Sequence, residues 1–383
     1  MSRIDWVISS CRLLASIGDE FERTRPFADI SIGTGIHLEP KTVALLLVLA
    51  RGGADVVATG NLNSTQPEAV EHLRARGIQV VGRPTADAAE HDGFLCEVIE
   101  ARPDLILDNG GDLFSRWLDD PYPSLRGGTE ETTSGRARLV PLRERLARPI
   151  LVINDSPIKQ FAENEHAVGQ SVLESYLRIT NRSTNGKRVT VFGYGSCGRG
   201  VARNFRGARA LVSVVEVDPV LRLKALLDGF AVPAREVAIA EADVIVTVTG
   251  ARDVISVADT DLLGDGTVIL NAGHLPWEIN VDGIVATYDA TTATEGIQTI
   301  GFGDGRRVHV LTGGHMVNLA GPRPLGNSVE SMDIGFALQA RCLEAIARGE
   351  VSAEACVVPV PRAVDEAVAT AYIDLVAAPA NTR

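Results

Sequence analysis

Apolar positions along the 383-residue chain fall into short runs separated by stretches of helical period. In the first half "ISIGTGIHLEP", "DVVATGN", "IQVVGR" and "ARPDLILDNGGD" are strand-like. The helical segments "KTVALLLVLARGGA" and "STQPEAVEHLRARG" lie between the first of them. Strand and helix alternating at this spacing predict βαβ units, hence a mostly parallel sheet with helices on both faces. "PYPSLRGGTEETTSGRARLVPLRERLARP" breaks the rhythm with Pro, Gly and Thr and reads as a functional loop followed by a helix. "ILVIND" is a further buried strand, and "SPIKQFAENEHAVGQSVLESYLRIT" is a long helical connection.

A second series starts at Arg188 with "VTVFGYG" and runs through "LVSVVEVD", "FAVP", "EADVIVTVTG", "GTVILNAG", "IVATYDA" and "RRVHVLTGG", each read as a strand. The closing segments "SVESMDIGFALQARCLEAIARGE" and "PRAVDEAVATAYIDLVAA" are amphipathic helices that return to the first domain. The predicted fold is therefore α/β, with two doubly wound, Rossmann-like parallel-sheet domains. One is discontinuous, residues 1–165 with 326–383, and the other, 166–325, is inserted into it.

Composition narrows the partners. A formal charge of −12 and the lack of any Lys/Arg run argue against nucleic acid and anionic membranes, leaving small molecules and copies of the same chain. The five cysteines are widely spaced without a CxxC pair, so neither a disulfide framework nor a metal site is expected. No apolar run reaches the length of a membrane span and no signal-peptide cleavage pattern follows the start, which predicts a cytoplasmic protein. Only Lys41, Lys159, Lys187 and Lys224 are lysines among 37 basic residues. In such a chain a lysine marks a place where a group able to lose its proton is useful.

The sharpest motif is Gly193-x-Gly195-x-x-Gly198 in "VFGYGSCGRG", which follows a strand and opens a helix. Gly193 makes the tight turn, Gly195 lets the backbone approach a pyrophosphate, and Gly198 lets helix pack on strand. Ser196 and Cys197 complete the loop at the helix N-terminus, where anions are favoured. Glu216, eighteen residues beyond Gly198, accepts from ribose hydroxyls and repels a 2′-phosphate, which selects NAD over NADP.

Around this loop the ordered segments "HLEPKTVALL", "GNLNSTQPEA", "LILDNGGDL", "EETTSG", "INDSPIKQFAEN", "EVDP", "NAGHLPWEI" and "VNLAG" resemble those of the adenosylhomocysteinase family, from about residue 30 to residue 370. The resemblance implies a substrate domain built from both chain ends around an inserted NAD domain. It also implies a reaction without net redox change. NAD⁺ oxidises a nucleoside 3′-hydroxyl, the ketone acidifies C4′–H, and loss of that proton expels the 5′ substituent. In the hydrolase, water then adds and the ketone is reduced again.

The same resemblance implies roles for single residues. Lys159 assists deprotonation of the 3′-hydroxyl, and burial beside a nicotinamide cation would lower its pKa. Glu163, four residues on and so on the same helical face, stands where the family has aspartate. Glu131 binds ribose hydroxyls. Thr132, Thr133, Asn164 and Thr249 contact NAD, and His274 with Asn318 lines the nicotinamide. His37 is the candidate acid for the leaving group.

Departures cluster at the substrate. Asn109 replaces the second carboxylate of the pair before "GGD", and an amide cannot exchange a proton as a base. Lys41 replaces the glutamate that accepts from the adenine amino group, Glu39 stands two residues after His37, and Leu325 takes the ungapped place of a histidine near the base. Val168 replaces a cysteine near the site, and the chain ends at "AAPANTR" without the family's basic, tyrosine-containing tail. Oxidation residues are kept while recognition of the base and of the 5′ group changes. The favoured expectation is a nucleoside dehydratase that leaves a 4′,5′-unsaturated sugar, as nucleoside-antibiotic tailoring would use. S-adenosylhomocysteine hydrolysis is the alternative, an NADH-releasing dehydrogenase a further one, and an inert NAD-binding regulator the reading from another class.

Overall fold

The computed structural model describes residues 1–291 and 294–377. The chain divides into two compact units, Met1–Gln160 with Val329–Arg383, and Phe161–Ser328. Three to five residues separate these limits from the boundaries expected from sequence.

In the first unit seven strands form one parallel sheet: β1 Ser31–Gly35, β2 Asp55–Thr59, β3 Gln79–Val80, β4 Leu105–Asp108, β5 Gly127–Glu130, β6 Ile150–Val152 and, last in the chain, β14 Val358–Pro359. Their order is β14-β6-β5-β4-β1-β2-β3, so the winding reverses between β1 and β4. A crevice at the carboxyl ends of those two strands is the usual ligand position in such a sheet. The C-terminal segment is held to this unit by more than strand pairing. Asp333 accepts from the main-chain amides of Leu13 and Leu14 at 2.8 Å each, and Arg341 pairs with Glu20.

In the second unit β7 Arg188–Phe192, β8 Leu211–Val215, β9 Val244–Thr247, β10 Val268–Asn271 and β13 Arg307–Leu311 run parallel in the order β8-β7-β9-β10-β13. β12 Ile297–Gly301 and β11 Asp289–Ala290 extend the sheet antiparallel. Alternation along the strands fills both faces: Val189, Val191, Val244, Val246 and Leu270 point into one core, while Phe192, Ile245 and Ile269 point into the other. A sheet covered on both sides explains why these strands read as continuous apolar runs.

Three sequence expectations are corrected. The 120–148 segment contains a buried strand, β5, which its glycines concealed: a Cβ on Gly128 would lie 1.8 Å from the Ile106 carbonyl of β4, so the strand can carry no side chain there. "IVATYDA" is mostly helix, Val281–Thr287, because Asn280 caps Gly283 N and Val281, Ile284 and Val285 recur at helical rather than alternating spacing before the short β11. "FAVP" makes only one bridge, Ala231 to Ser213.

The long connection is helical, but Lys159–Ala167 is a π-helix and Val168–Thr180 an α-helix. With i→i+5 bonding a turn takes more than four residues, so Glu163 and Asn164 both flank the face of Lys159. The connection packs against Ser196–Gly207 at a close crossing, where a Cβ on Gly200 would sit 1.8 Å from the carbonyl of Glu165 in the π-helix. Replacing Gly200 with Ala is expected to force these helices apart and to cost the second unit about 1–3 kcal/mol, read as a lower urea midpoint without a change in secondary structure before unfolding.

Candidate functional site

In the first unit the candidate residues emerge at the carboxyl ends of β1, β2, β4 and β5. Asp108 and Glu130 are paired in register as the last residues of β4 and β5, and both are fully buried. Asp108 accepts from the amides of Asn109, Leu113 and Phe114. Glu130 accepts from Gly110 N at 3.1 Å, Gly111 N at 2.9 Å, and both the amide and hydroxyl of Thr132 at 2.7 Å. These carboxylates tie down the two loops that follow.

The next residue on each strand carries the candidate chemistry. Asn109 Nδ2 donates to Glu131 Oε2 at 3.2 Å, and Glu131 Oε1 is 2.9 Å from Lys159 Nζ. Asn61, in the loop after β2, donates through Nδ2 to Asn109 Oδ1 at 3.1 Å, which fixes the amide with its nitrogen toward Glu131. All of Asn109, Glu131 and Lys159 are at least nine-tenths buried. Burial works against the Glu131 charge, but the Lys159 ammonium, His37 and the Asn109 amide outweigh it and hold the carboxyl below its ordinary range.

His37 stands two residues past β1, with Nδ1 2.5 Å from Ser64 Oγ and its carbonyl accepting from Thr42 Oγ1. Glu39 and Lys41 follow at the start of the helix Pro40–Arg51, buried and 2.7 Å apart as an ion pair. Thr132 caps the helix Thr133–Leu139, and its hydroxyl is given to Glu130. The structure thus brings together Asn109, Glu131 and Lys159 within this unit.

The second unit carries the glycine loop between β7 and Ser196–Gly207, at the point where strand order reverses between β7 and β9. A Cβ on Gly193 would meet the Val248 carbonyl at 2.6 Å, and one on Gly198 the Gly193 carbonyl at 2.1 Å; one on Gly195 would meet nothing within 4 Å. Packing therefore demands the first and third glycines, whereas the second keeps open a space outside the protein. A pyrophosphate fits that space, at the N-terminus of a twelve-residue helix. Ser196, first in that helix, accepts from Arg199, and Cys197 is half-buried.

Glu216 accepts from Tyr194 N at 2.7 Å and from Val217 N and Asp218 N. Three of its roughly four acceptor directions are used, which leaves one for a ribose hydroxyl. Asn318 is buried, donates to Ser171, and keeps Oδ1 without a hydrogen-bond partner, an acceptor suited to a carboxamide N–H. These features fit a nicotinamide dinucleotide.

The sequence reading missed Glu278 and Asn271. Glu278, fully buried, grips Thr249 N, Thr249 Oγ1 and Gly250 N. Asn271 Nδ2 lies within 3.0 Å of the carbonyls of Gly273, Leu275 and Gly314 and folds the turn that carries His274. Both lie in or beside the quoted "NAGHLPWEI", but burial was the signal needed to give them a role. Glu163 and Asn164 sit in the π-helix, Glu163 buried. Leu325 is 44% exposed in the loop before Val329. Val168 packs on the second unit's core, and "PANTR" lies outside the described residues.

Comparison with known proteins follows the same division. Residues 9–120 match the family model for S-adenosyl-L-homocysteine hydrolase, and residues 164–323 that for its NAD binding domain. An adenosylhomocysteinase of Thermotoga maritima is 38% identical, over 97% of this chain and 93% of the relative. An S-inosyl-L-homocysteine hydrolase of Methanopyrus kandleri is 37% identical, over 96% and 88%.

Burial, with repulsion from Asp112, pushes Asp108 up to about 6, and burial, with repulsion from Asp108, pushes Glu130 up to about 8. The folded state then binds these protons more tightly than the unfolded chain, so their contribution is complete below about pH 4 and declines as pH rises through about 6 to 8. Glu131, shifted the other way, loses its contribution only as pH falls through its depressed value. The urea midpoint of the first unit is expected to fall across about pH 6 to 8 and to flatten in Glu130→Gln. A midpoint that rises over that range contradicts the assignment.

Proposed function

The chain belongs to the S-adenosyl-L-homocysteine hydrolase family and its cofactor is NAD, and on that premise we propose that it is a nucleoside dehydratase acting by oxidation at C3′ and elimination across C4′ and C5′. The observation that carries the reading is Asn109, an amide locked between Asn61 and Glu131 where a second proton exchanger would stand.

The loop around Gly195, Glu216 and Asn318 holds the dinucleotide, with Thr132, Thr133, Asn164, Thr249 and His274 as further contacts. When bound, NAD⁺ supplies the hydride acceptor for the 3′ carbinol carbon. Glu131 accepts from the ribose hydroxyls, and Lys159, 2.9 Å from it, takes the 3′-hydroxyl proton as the neutral amine, having first given up the proton of the resting ion pair. Asn109 keeps Glu131 anionic by donating to it, which an ionised carboxylate could not do. The 3′ ketone acidifies C4′–H, whose proton passes to the Glu163 carboxylate on the π-helix while the 5′ oxygen leaves as water with a proton from His37. Return of the hydride to C3′, and of the proton held by Lys159 to its oxygen, restores the alcohol, so the product is lighter by one water only.

A hydrolase must exchange two different groups at C5′, thiolate out and water in, whereas a dehydratase handles water alone. One proton carrier, His37, matches the single exchange. The second reading, hydrolysis of a nucleosyl homocysteine thioether, is favoured by the relatives' names.

Lys41 bears on the base. Its buried ammonium donates and cannot accept, so it suits a base with an acceptor edge, such as a 6-oxopurine, over one presenting an amino group. The name of the Methanopyrus kandleri relative, an S-inosyl-L-homocysteine hydrolase, agrees with that preference.

Purified protein incubated with nucleosides bearing a free 5′-hydroxyl is expected to yield a product one water lighter, without thiol release; homocysteine release from S-adenosyl- or S-inosylhomocysteine with no water loss selects the hydrolase instead. Lys159→Ala should lower turnover about 10²- to 10⁴-fold, and near-normal turnover would remove it from the chemistry. Between matched nucleosides, the 6-oxo form should react faster than the 6-amino form, a preference that Lys41→Glu reverses.

A further inference from the structure

Ser64 has no part in the reaction as described, yet it lies against the His37 ring. Nδ1 of His37 is 2.5 Å from Ser64 Oγ, and Ser64 Oγ is 3.1 Å from the main-chain oxygen of Asn61. A carbonyl oxygen only accepts, so the second contact is a hydrogen bond only if the serine hydroxyl supplies the proton. The hydroxyl oxygen is then the acceptor in the shorter contact, and Nδ1 carries the proton. The opposite assignment, hydroxyl to Nδ1, sets two acceptor oxygens 3.1 Å apart with no proton between them.

We propose that Ser64 is a positioning residue that accepts from Nδ1–H of His37, so that the imidazolium gives its Nε2 proton to the 5′ leaving group and the neutral ring left behind is the Nδ1–H tautomer. The proposal rests on the reading of His37 as the proton carrier.

The turn that supports Ser64 also sets the other half of the site. Asn61 holds the serine hydroxyl through its main-chain oxygen and the Asn109 amide through its side chain. A single short segment after β2 thereby fixes which His37 nitrogen carries a proton and which end of Asn109 meets Glu131. Because Asn109 cannot exchange a proton, a wrong tautomer at His37 has no substitute nearby among the groups Asn61 orients. Residues that select a histidine tautomer act through orientation, and their loss lowers turnover more than binding.

The test reads the tautomer first. Nitrogen-15 NMR of histidine-labelled protein without substrate is expected to show His37 as Nδ1–H in its neutral form, and Ser64→Ala to shift it toward Nε2–H or a mixture. Thr65 Oγ1 still donates to the Asn61 carbonyl in that variant, so the turn keeps a partner. Turnover of the nucleoside substrate should fall about tenfold to a thousandfold in Ser64→Ala with KM within about twofold, and Ser64→Thr should restore both tautomer and rate. An Nε2–H tautomer in the wild type, or an unchanged tautomer in Ser64→Ala, overturns the inference. So does a shifted tautomer with an unchanged rate. Since the tautomer is measured without any reaction, failure of the dehydratase reading is separately visible in the product assay.

Discussion

Buried carboxylates at or beyond the carboxyl ends of parallel strands hold both halves of this protein in working order. A parallel strand ends with its loop facing the ligand crevice, and the loop's amides need partners that water would otherwise supply. Asp108 and Glu130 supply them in the first unit, and Glu278, assisted by the Asn271 amide, does so in the second. Each carboxyl loses solvation on burial, and the amide hydrogen bonds offset that loss only while the loops keep their shape. Loop conformation and carboxylate burial therefore stand or fall together.

This arrangement separates architecture from chemistry by one residue. Successive side chains at a strand end point opposite ways, so Asp108 and Glu130 turn toward the core while Asn109 and Glu131 face each other above it. A change at position 109 can then alter proton chemistry without loosening the fold. An amide there is more than the loss of an acid. It gives Glu131 a permanent donor, which helps to hold Glu131 anionic beside Lys159.

Much of the fold was legible because the strands are buried on both faces and the helices carry an apolar stripe. What resisted reading was local. β5 is glycine-rich because the β4 carbonyl leaves no room for a side chain, and composition of that kind looks like a loop. The helix at Val281 depends on one capping asparagine, and the π-helix at Lys159 leaves no trace in a pattern of polar residues. The site was legible as far as motifs reach: the glycine loop, Glu216, Lys159 and Glu131 all stand in quoted segments. Asn61, Ser64, Glu130 and Glu278 stand in or beside the same segments, but their work is holding other groups. Only the hydrogen-bond geometry exposes that work.

The Glu39–Lys41 pair carries the last step. An ion pair this deeply buried gains little net stability, since desolvation of both charges offsets their attraction, and apolar residues of similar size would serve the fold as well. It stands directly after His37, at the amino end of the helix Pro40–Arg51, where the carboxylate of Glu39 is favoured by the helix dipole while making no cap of its own. Glu39 in turn lets Lys41 remain charged away from water. The pair thus keeps a fixed donor beside the β1 end of the crevice, at a cost the fold has no use for. Under the proposed function, recognition is the reason to keep it. A ligand offering an acceptor there satisfies the lysine, and one offering a donor leaves two buried donors opposed, so specificity arises from exclusion as much as from attraction.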